Sequence, residues 1–365
     1  MLTLTNPFNP TFGDVPKIYF DTENKVKKLV QTIQQSEFAR SFFITGVRGS
    51  GKTSFMTQVE HLLQQDERCI CIDLINDESL LTSFIQQLSA ASQTTTQRLF
   101  KKVGLSSVNI GQVGVEFNFS ANQGNQTANV ARELMIKIQE HKRYVVVAID
   151  EIDNSKLVRS FAQVFNELKR QGLPIIVLMT GLPDLVLDIQ NDKKLTFLLR
   201  SEKINMAPLQ QGNMLLAYKQ TFNTTTAIAS KMVRLVQGYS YAFQLLGYLA
   251  YNQWDQSQSF GLLTLKEIVL EYQLELFDNA YQKIFMDLSQ VDKQYLVAVR
   301  NGQSLSKVAQ LMGVTPQYTA QYRRRALARH LIVPAGRGIV RYTLPLFDKF
   351  LDATQSPDSI YYDEV

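Results

Sequence analysis

One nine-residue stretch, GVRGSGKTS at Gly46–Ser54, constrains this chain more than anything else in it. It fits G-x-x-x-x-G-K-[ST] through Gly46, Gly51, Lys52 and Thr53. It follows an apolar strand-like run, RSFFIT at Arg40–Thr45, and opens a helix-like run, Lys52–Gln65. Gly49 and Gly51 let backbone N–H groups turn inward around an anion without a Cβ clash. The helix N-terminus adds its partial positive charge. The pattern predicts a polyphosphate cradle made of Gly46, Arg48, Gly49, Ser50, Gly51, Lys52, Thr53 and Ser54. Lys52 is expected on the β- and γ-phosphates of ATP, and the Thr53 hydroxyl on Mg²⁺.

Around this loop the first half alternates strands and helices. Strands are expected at Cys69–Ile75, Tyr144–Ile149, Leu173–Thr180 and Lys203–Met206. Helices are expected at Glu78–Ala91, Asn129–His141 and Leu157–Gln171. That rhythm implies a parallel sheet with crossover helices, an α/β fold. One insertion, about 104–120, breaks it. Val108 and Ile110, then Val113, Val115, Phe117 and Phe119, alternate with polar residues as in a hairpin. It is either a structural edge or a contact for DNA or a partner.

The run YVVVAIDEID places Asp150 and Glu151 at a strand's carboxyl end, where open α/β sheets bind ligands. Asp150 would hold Mg²⁺ and Glu151 would polarise a water. The bland alternative is a pair of acids favoured by a helix N-terminus. Asp153 reads as a helix cap. Thr180 ends the strand IIVLMT; it either orients water near the γ-phosphate or simply turns the chain. Arg200 either reaches a neighbouring subunit's γ-phosphate or pairs with a surface acid.

Past Leu209 the pattern is helical to about Asn301, with Leu265–Tyr281 a long amphipathic stretch. Then come Ser304–Met312, a Gly313–Pro316 turn, and Gln317–Leu331, with Thr315 a good N-cap and Pro316 a good first-turn residue. Ile332–Leu344 reads as a two-stranded wing and Leu346–Leu351 as a short helix. The net charge is +5 over 365 residues, yet 303–353 alone holds eight basic and two acidic residues. Such a confined patch suits a polyanion surface. Its candidate contacts to double-stranded DNA are Arg323, Arg324, Arg325, Arg329, Arg337 and Arg341. Ala326, Leu327 and Leu331 are expected to form the buried stripe beneath them. The alternative is a solvated basic face, or one that pairs with acids on the ATPase domain.

No apolar run reaches a membrane span, and no secretory pattern opens the chain, so a cytoplasmic protein is expected. Cys69 and Cys71 read as small buried hydrophobes in a reduced compartment. Three histidines and no Cys/His cluster argue against a structural zinc site.

The phosphate loop, the Asp150-Glu151 pair, Thr180, the helical stretch and the wing together resemble AAA+ ATPases of the origin-recognition and replication-initiator type. They equally resemble the STAND-clade relatives, the archaeal-type ATPases. NPFNPTFGDVP at Asn6–Pro16 resembles the family's adenine-pocket segment. GYSYAFQLLG at Gly238–Gly247 resembles the STAND lid motif, with Ser240 in place of the proline of the usual Gly-x-Pro. LARHLIVPAGRGIVRYTLPLFDKFL resembles the winged-helix end of bacterial members. The resemblance implies a P-loop NTPase core over 1–208, a helical lid over 209–290, a winged helix over 291–353 and a tail over 354–365. It implies ATP binding and hydrolysis, action on DNA or assembly with it, and a possible homo-oligomer. A nucleotide-dependent signalling switch is the alternative. Two positions depart from the family. Tyr241 and Phe243 stand where many lids carry an arginine, which implies slow or gated hydrolysis. Phe20-Asp21 stands where Gly-Arg is usual.

Overall fold

The computed structural model describes residues 5–11, 13–36, 40–92, 109–111, 114–116, 124–192, 195–254, 260–336 and 338–362. They divide into two compact units. One comprises Asn24–Thr45 and Phe55–Asn205; the other comprises Met1–Glu23, Gly46–Ser54 and Met206–Val365.

The first unit is built on a parallel sheet. Its elements are α1 (Lys25–Gln34), β1 (Arg40–Thr45), α2 (Lys52–Leu63, here from Phe55), β2 (Cys69–Leu74) and α3 (Leu80–Ala91). After these come β3 (Asn109–Gly111), β4 (Gly114–Glu116), α4 (Gly124–Glu140), β5 (Tyr144–Ile149), α5 (Lys156–Arg170), β6 (Ile175–Gly181), α6 (Pro183–Asn191) and β7 (Glu202–Asn205). The strand order is β2-β5-β6-β1-β7, and every pairing is parallel. This is the sheet that the alternating sequence pattern predicts. β1, β5 and β6 are apolar and almost wholly buried because helices cover both faces. Parallel pairing puts Thr45 opposite Gly181, and Ile149 opposite Met179, so these strands end on one rim. β3 and β4 form a separate antiparallel pair, with Asn109 opposite Glu116. Val108, Val113, Phe117 and Phe119 lie outside the described residues.

Helix ends shift from the sequence expectation. α4 starts at Gly124, five residues before Asn129, because its first turn is polar and carries no apolar period. α2 stops at Leu63 and α3 starts at Leu80.

The second unit is helical: α7 (Gln211–Thr221), α8 (Thr226–Val236), α9 (Ser240–Gln253), α10 (Leu262–Leu276), α11 (Gln282–Met286), α12 (Gln290–Ala298), α13 (Leu305–Leu311) and α14 (Pro316–Ala328). A ribbon of β8 (Ile332–Gly336) and β9 (Ile339–Tyr342) follows, then α15 (Phe347–Thr354). Between α10 and α11 the helix widens into a π turn at Phe277–Tyr281. The Thr315 side chain caps α14 by accepting from the Tyr318 amide at 3.3 Å. α14 ends at Ala328 because His330 takes a left-handed φ of 58° and the Leu331 amide closes back on the Ala326 carbonyl. One apolar cluster runs through this unit from Phe8 to Tyr361. Tyr361, in the stretch read as a tail, is 8% exposed and packs on Phe277 and Phe350.

No helix among the described residues is long and apolar enough to cross a membrane. Cys69 and Cys71 are free, with their sulfurs 3.7 Å apart.

Candidate functional site

The helical unit contains Gly46–Ser54. Gly49 and Gly51 adopt φ of +72° and +88°, a region costly for any side chain. The Ser50 amide closes a turn on the Val47 carbonyl at 3.2 Å. The Ser50 hydroxyl is buried without a hydrogen-bond partner among the described residues. Lys52 Nζ donates to the carbonyls of Gly46 and Val47 at 3.1 and 3.0 Å. Thr53 stands in the first turn of α2. Ser54, expected on phosphate, donates its hydroxyl to the Asp14 carbonyl at 3.2 Å. These are the features of a phosphate cradle: left-handed glycines, a helix N-terminus, a lysine and a hydroxyl. The residues present fit a nucleotide polyphosphate.

On the same loop, Tyr239 Oη donates to the Arg48 carbonyl at 2.8 Å. The N-terminal segment lies on α9. Gln244 accepts from the Asn9 amide at 3.0 Å and donates to the Ile18 carbonyl at 2.9 Å. The ring of Phe8 lies where a Cβ on Gly247 would stand.

In the sheet unit, Asp150 follows β5 directly. The Thr180 hydroxyl donates to its carboxylate and accepts from the Glu151 amide at 3.0 Å. Thr180 is 0% exposed. Its hydroxyl thus fixes the turn of the acid pair, which matches the turn reading that the sequence offered beside orienting a water. Glu151 has φ 49° and an exposed side chain. That strained conformation is held from both sides. The Ile152 amide donates to the Thr180 carbonyl at 2.9 Å, and Asn76 Nδ2 donates to the Glu151 carbonyl at 3.0 Å. Asp153 is not the helix cap expected of it: Ser155 caps α5 through the Val158 amide, and Asp153 accepts from the Ser155 amide and Asn76.

Two further groups escaped the sequence reading. Asn76 is one. Glu60 is the other: it lies on the buried stripe of α2 with Met56, Val59 and Leu63. Burial, then the negative charges of Asp73 and Asp150, raise its pKa to about 7. A carboxylate on an apolar helical stripe was the available signal.

Arg200 ends a 3-10 turn, is exposed, and has no acidic partner among the described residues. Its charge acts on Lys169, whose pKa falls through burial and then through the Arg200 charge.

The arginines of the basic patch separate into groups. Arg325 lies 2.7 Å from Asp292 of α12, and Arg329 lies 3.9 Å from the same carboxylate. Asp292 is 5% exposed. These two arginines, both candidates for DNA contact, are turned onto a buried acid, which leaves the outward-facing role to others of the six. Arg323 is half-buried, and its Nε has no hydrogen-bond partner among the described residues. Arg324 and Arg341 are exposed. Arg337 lies outside the described residues. The buried stripe of α14 is Thr319, Tyr322 and Ala326, with Leu327 only half-buried. Ala326 and Leu331 of the expected stripe are buried as the periodicity predicts, and Thr319 and Tyr322, whose ring lies beside Arg325, extend that buried face toward the helix start.

Among described residues no cluster of three or more His, Cys, Asp and Glu side chains forms a metal cage. Mg²⁺ bound to a nucleotide needs none, since phosphates and waters fill most of its shell.

An AAA domain family model matches residues 36–198, and a domain of unknown function (DUF8462) matches residues 278–351. A search of curated proteins found no match. Among solved structures, the chain is similar to the Walker-type ATPase of Pyrococcus abyssi, with 14% identity and a TM-score of 0.58. That alignment covers 92% of this chain and 96% of that one. It is also similar to Cdc6p from Pyrobaculum aerophilum, with 11% identity and a TM-score of 0.50, covering 94% and 95%. The Aeropyrum pernix ORC2 protein, solved as ADPNP-ADP complexes, is 11% identical with a TM-score of 0.51, covering 94% and 95%. At these identities the likeness is one of fold.

Proposed function

We propose that this chain, whose residues 36–198 match an AAA domain model, binds ATP with Mg²⁺, hydrolyses it slowly, and acts on or assembles with double-stranded DNA. The observation that carries the nucleotide reading is the phosphate loop. Its glycines hold left-handed φ, and Lys52 and Thr53 open a helix directly behind them. The similar ORC2 protein was solved with ADPNP and ADP, which supports the same ligand class here.

Bound ATP supplies an electrophilic γ-phosphorus and a good leaving group. Lys52 neutralises the β- and γ-phosphates, leaving the carbonyls of Gly46 and Val47 to do so. The Thr53 hydroxyl and the Asp150 carboxylate are the groups that would hold Mg²⁺. Glu151 polarises the attacking water. Thr180 and Asn76 fix the backbone from which Asp150 and Glu151 project. Arg200, exposed and without an acidic partner among the described residues, is the residue proposed to reach a neighbouring subunit's γ-phosphate in a homo-oligomer.

We read α13, α14 and the β8–β9 ribbon as a winged helix whose second helix enters the major groove. Exposed Arg324 and Arg341 support phosphate contact. Arg323 and Arg337 are carried as further candidates. The alternative is a signalling switch whose winged helix contacts protein, and the inward-turned Arg325 and Arg329 favour it. Fluorescence anisotropy with duplex DNA at low salt, with and without ATP, tests the choice. Binding that weakens with salt supports the DNA reading. No affinity in either state discards it in favour of the switch.

A further inference from the structure

Three successive carbonyls of the phosphate loop each accept a hydrogen bond from one of three successive residues at the start of α9. The Arg48 carbonyl takes Tyr239 Oη at 2.8 Å, the Gly49 carbonyl takes the Tyr241 amide at 3.0 Å, and the Ser50 carbonyl takes Ser240 Oγ at 3.2 Å. All six residues belong to one compact unit.

The chemistry of each side explains the match. A phosphate loop aims its N–H groups inward at the anion, which leaves its carbonyls directed away. A helix start has the opposite need, because its first amides lack intrahelical acceptors. α9 has no side-chain cap of its own: Tyr239 stands at the N-cap position and spends its hydroxyl on the loop. The Tyr241 amide is capped by Gly49 instead. The fit leaves no slack. A Cβ on Gly49 would collide with the Tyr239 hydroxyl and come within 3.0 Å of Tyr241 Cβ. Tyr239 is 5% exposed, so an unmatched hydroxyl there would be costly.

α9 in turn carries much of its unit. Phe243, Leu245 and Leu246 sit in the apolar cluster that extends to α14 and α15. Gln244 holds the N-terminal segment at Asn9 and Ile18.

We propose that Tyr239, Ser240 and Tyr241 are positioning residues that relay the state of the phosphate loop to α9. Reorganisation of the loop around a triphosphate or a diphosphate changes the acceptors that cap this helix, and so changes its seating. The proposal rests on the reading of Gly46–Ser54 as a nucleotide site. It names a relay through backbone carbonyls rather than a side chain reaching the γ-phosphate.

Hydrogen exchange of the full-length protein tests it, read at the amides of Ala242 and Phe243 with ADP and with a non-hydrolysable ATP analogue. In the parent, the two nucleotides should give protection that differs by about three- to tenfold, the worth of one net hydrogen bond. Tyr239→Phe removes the Arg48 bond. Tyr241→Pro removes the amide donor together with the ring, in the first turn, where a helix tolerates proline. Each should bring the two nucleotide states to within about twofold, with a thermal midpoint near the parent's showing that the variant is folded. Tyr241→Ala keeps the amide and should keep the difference. The relay is overturned if the parent binds both nucleotides with the same α9 exchange. It is also overturned if Tyr239→Phe and Tyr241→Pro leave the difference intact. A parent that binds neither nucleotide overturns the phosphate-loop reading itself, and the relay with it.

Discussion

The Arg325 guanidinium lies 2.7 Å from the carboxylate of Asp292, on a helix more than thirty residues earlier, and that carboxylate is 5% exposed. Ser289 Oγ donates to the same oxygen at 2.6 Å, and Arg329 stands 3.9 Å away. One buried acid thus ties α12 to the C-terminal end of α14. Asp292→Asn keeps the shape and loses the charge. It should destabilise the protein by about 1–3 kcal/mol, the worth of hydrogen bonds to a charged group. The loss would show as a lower denaturation midpoint. An unchanged midpoint would mean that the pair is solvent-screened and only decorative.

That ion pair sharpens the expectation for DNA. Arg324 and Arg341 are exposed, whereas Arg325 is already neutralised within the protein. Each phosphate contact contributes about −0.9 to the slope of log K against log salt. Arg324→Ala with Arg341→Ala should therefore flatten the slope by about 1.8, equally on any duplex sequence. Arg325→Ala should flatten it far less. Anisotropy titrations across a salt series read both. A double variant with the parent's slope would move the DNA contact off this face.

How much of this was legible from residues alone follows from the range of each interaction. Continuous apolar runs such as Tyr144–Ile149 announce strands covered on both faces, and their alternation with helices announces a parallel sheet. Helix ends were less legible, because they turn on capping. α14 stops at Ala328 through the left-handed His330, which no periodicity marks. Asp292 meeting Arg325, or Tyr239 meeting Arg48, joins positions far apart in sequence, and only the fold brings them together. Glu60 was within reach, since a charged residue on an apolar helical stripe is the kind of local conflict that often marks a site.

The phosphate-loop and acid-pair roles separate binding from chemistry. Lys52→Ala removes a point charge from the phosphates and should weaken ATP binding at least about tenfold, or about 1.4 kcal/mol. Glu151→Gln keeps the shape but cannot polarise water. Its affinity should persist while turnover falls by roughly two to four orders of magnitude. Titration with a fluorescent ATP analogue and a phosphate-release assay distinguish the two. Parent-level hydrolysis by Glu151→Gln would remove Glu151 from the chemistry.

Glu60 links the acid cluster to pH. Its pKa is raised to about 7 by burial, then by Asp73 and Asp150, against about 4.3 in an unfolded chain. Below the unfolded value both states hold the proton, and the group has no effect on stability. As pH rises from there toward 7, the unfolded chain ionises first, so the folded state is progressively disfavoured. Above 7 the cost is constant. Glu60→Gln removes a titration that only destabilises. Relative to the parent it should gain nothing near pH 4 and up to about 3 kcal/mol at pH 8. Chemical denaturation of both proteins at pH 4, 6 and 8, with EDTA to keep divalent cations from Asp150, checks the sign and the window. A difference that is flat across this range would show that Glu60 is ionised in the folded protein, its charge matched by solvent rather than opposed by Asp73 and Asp150.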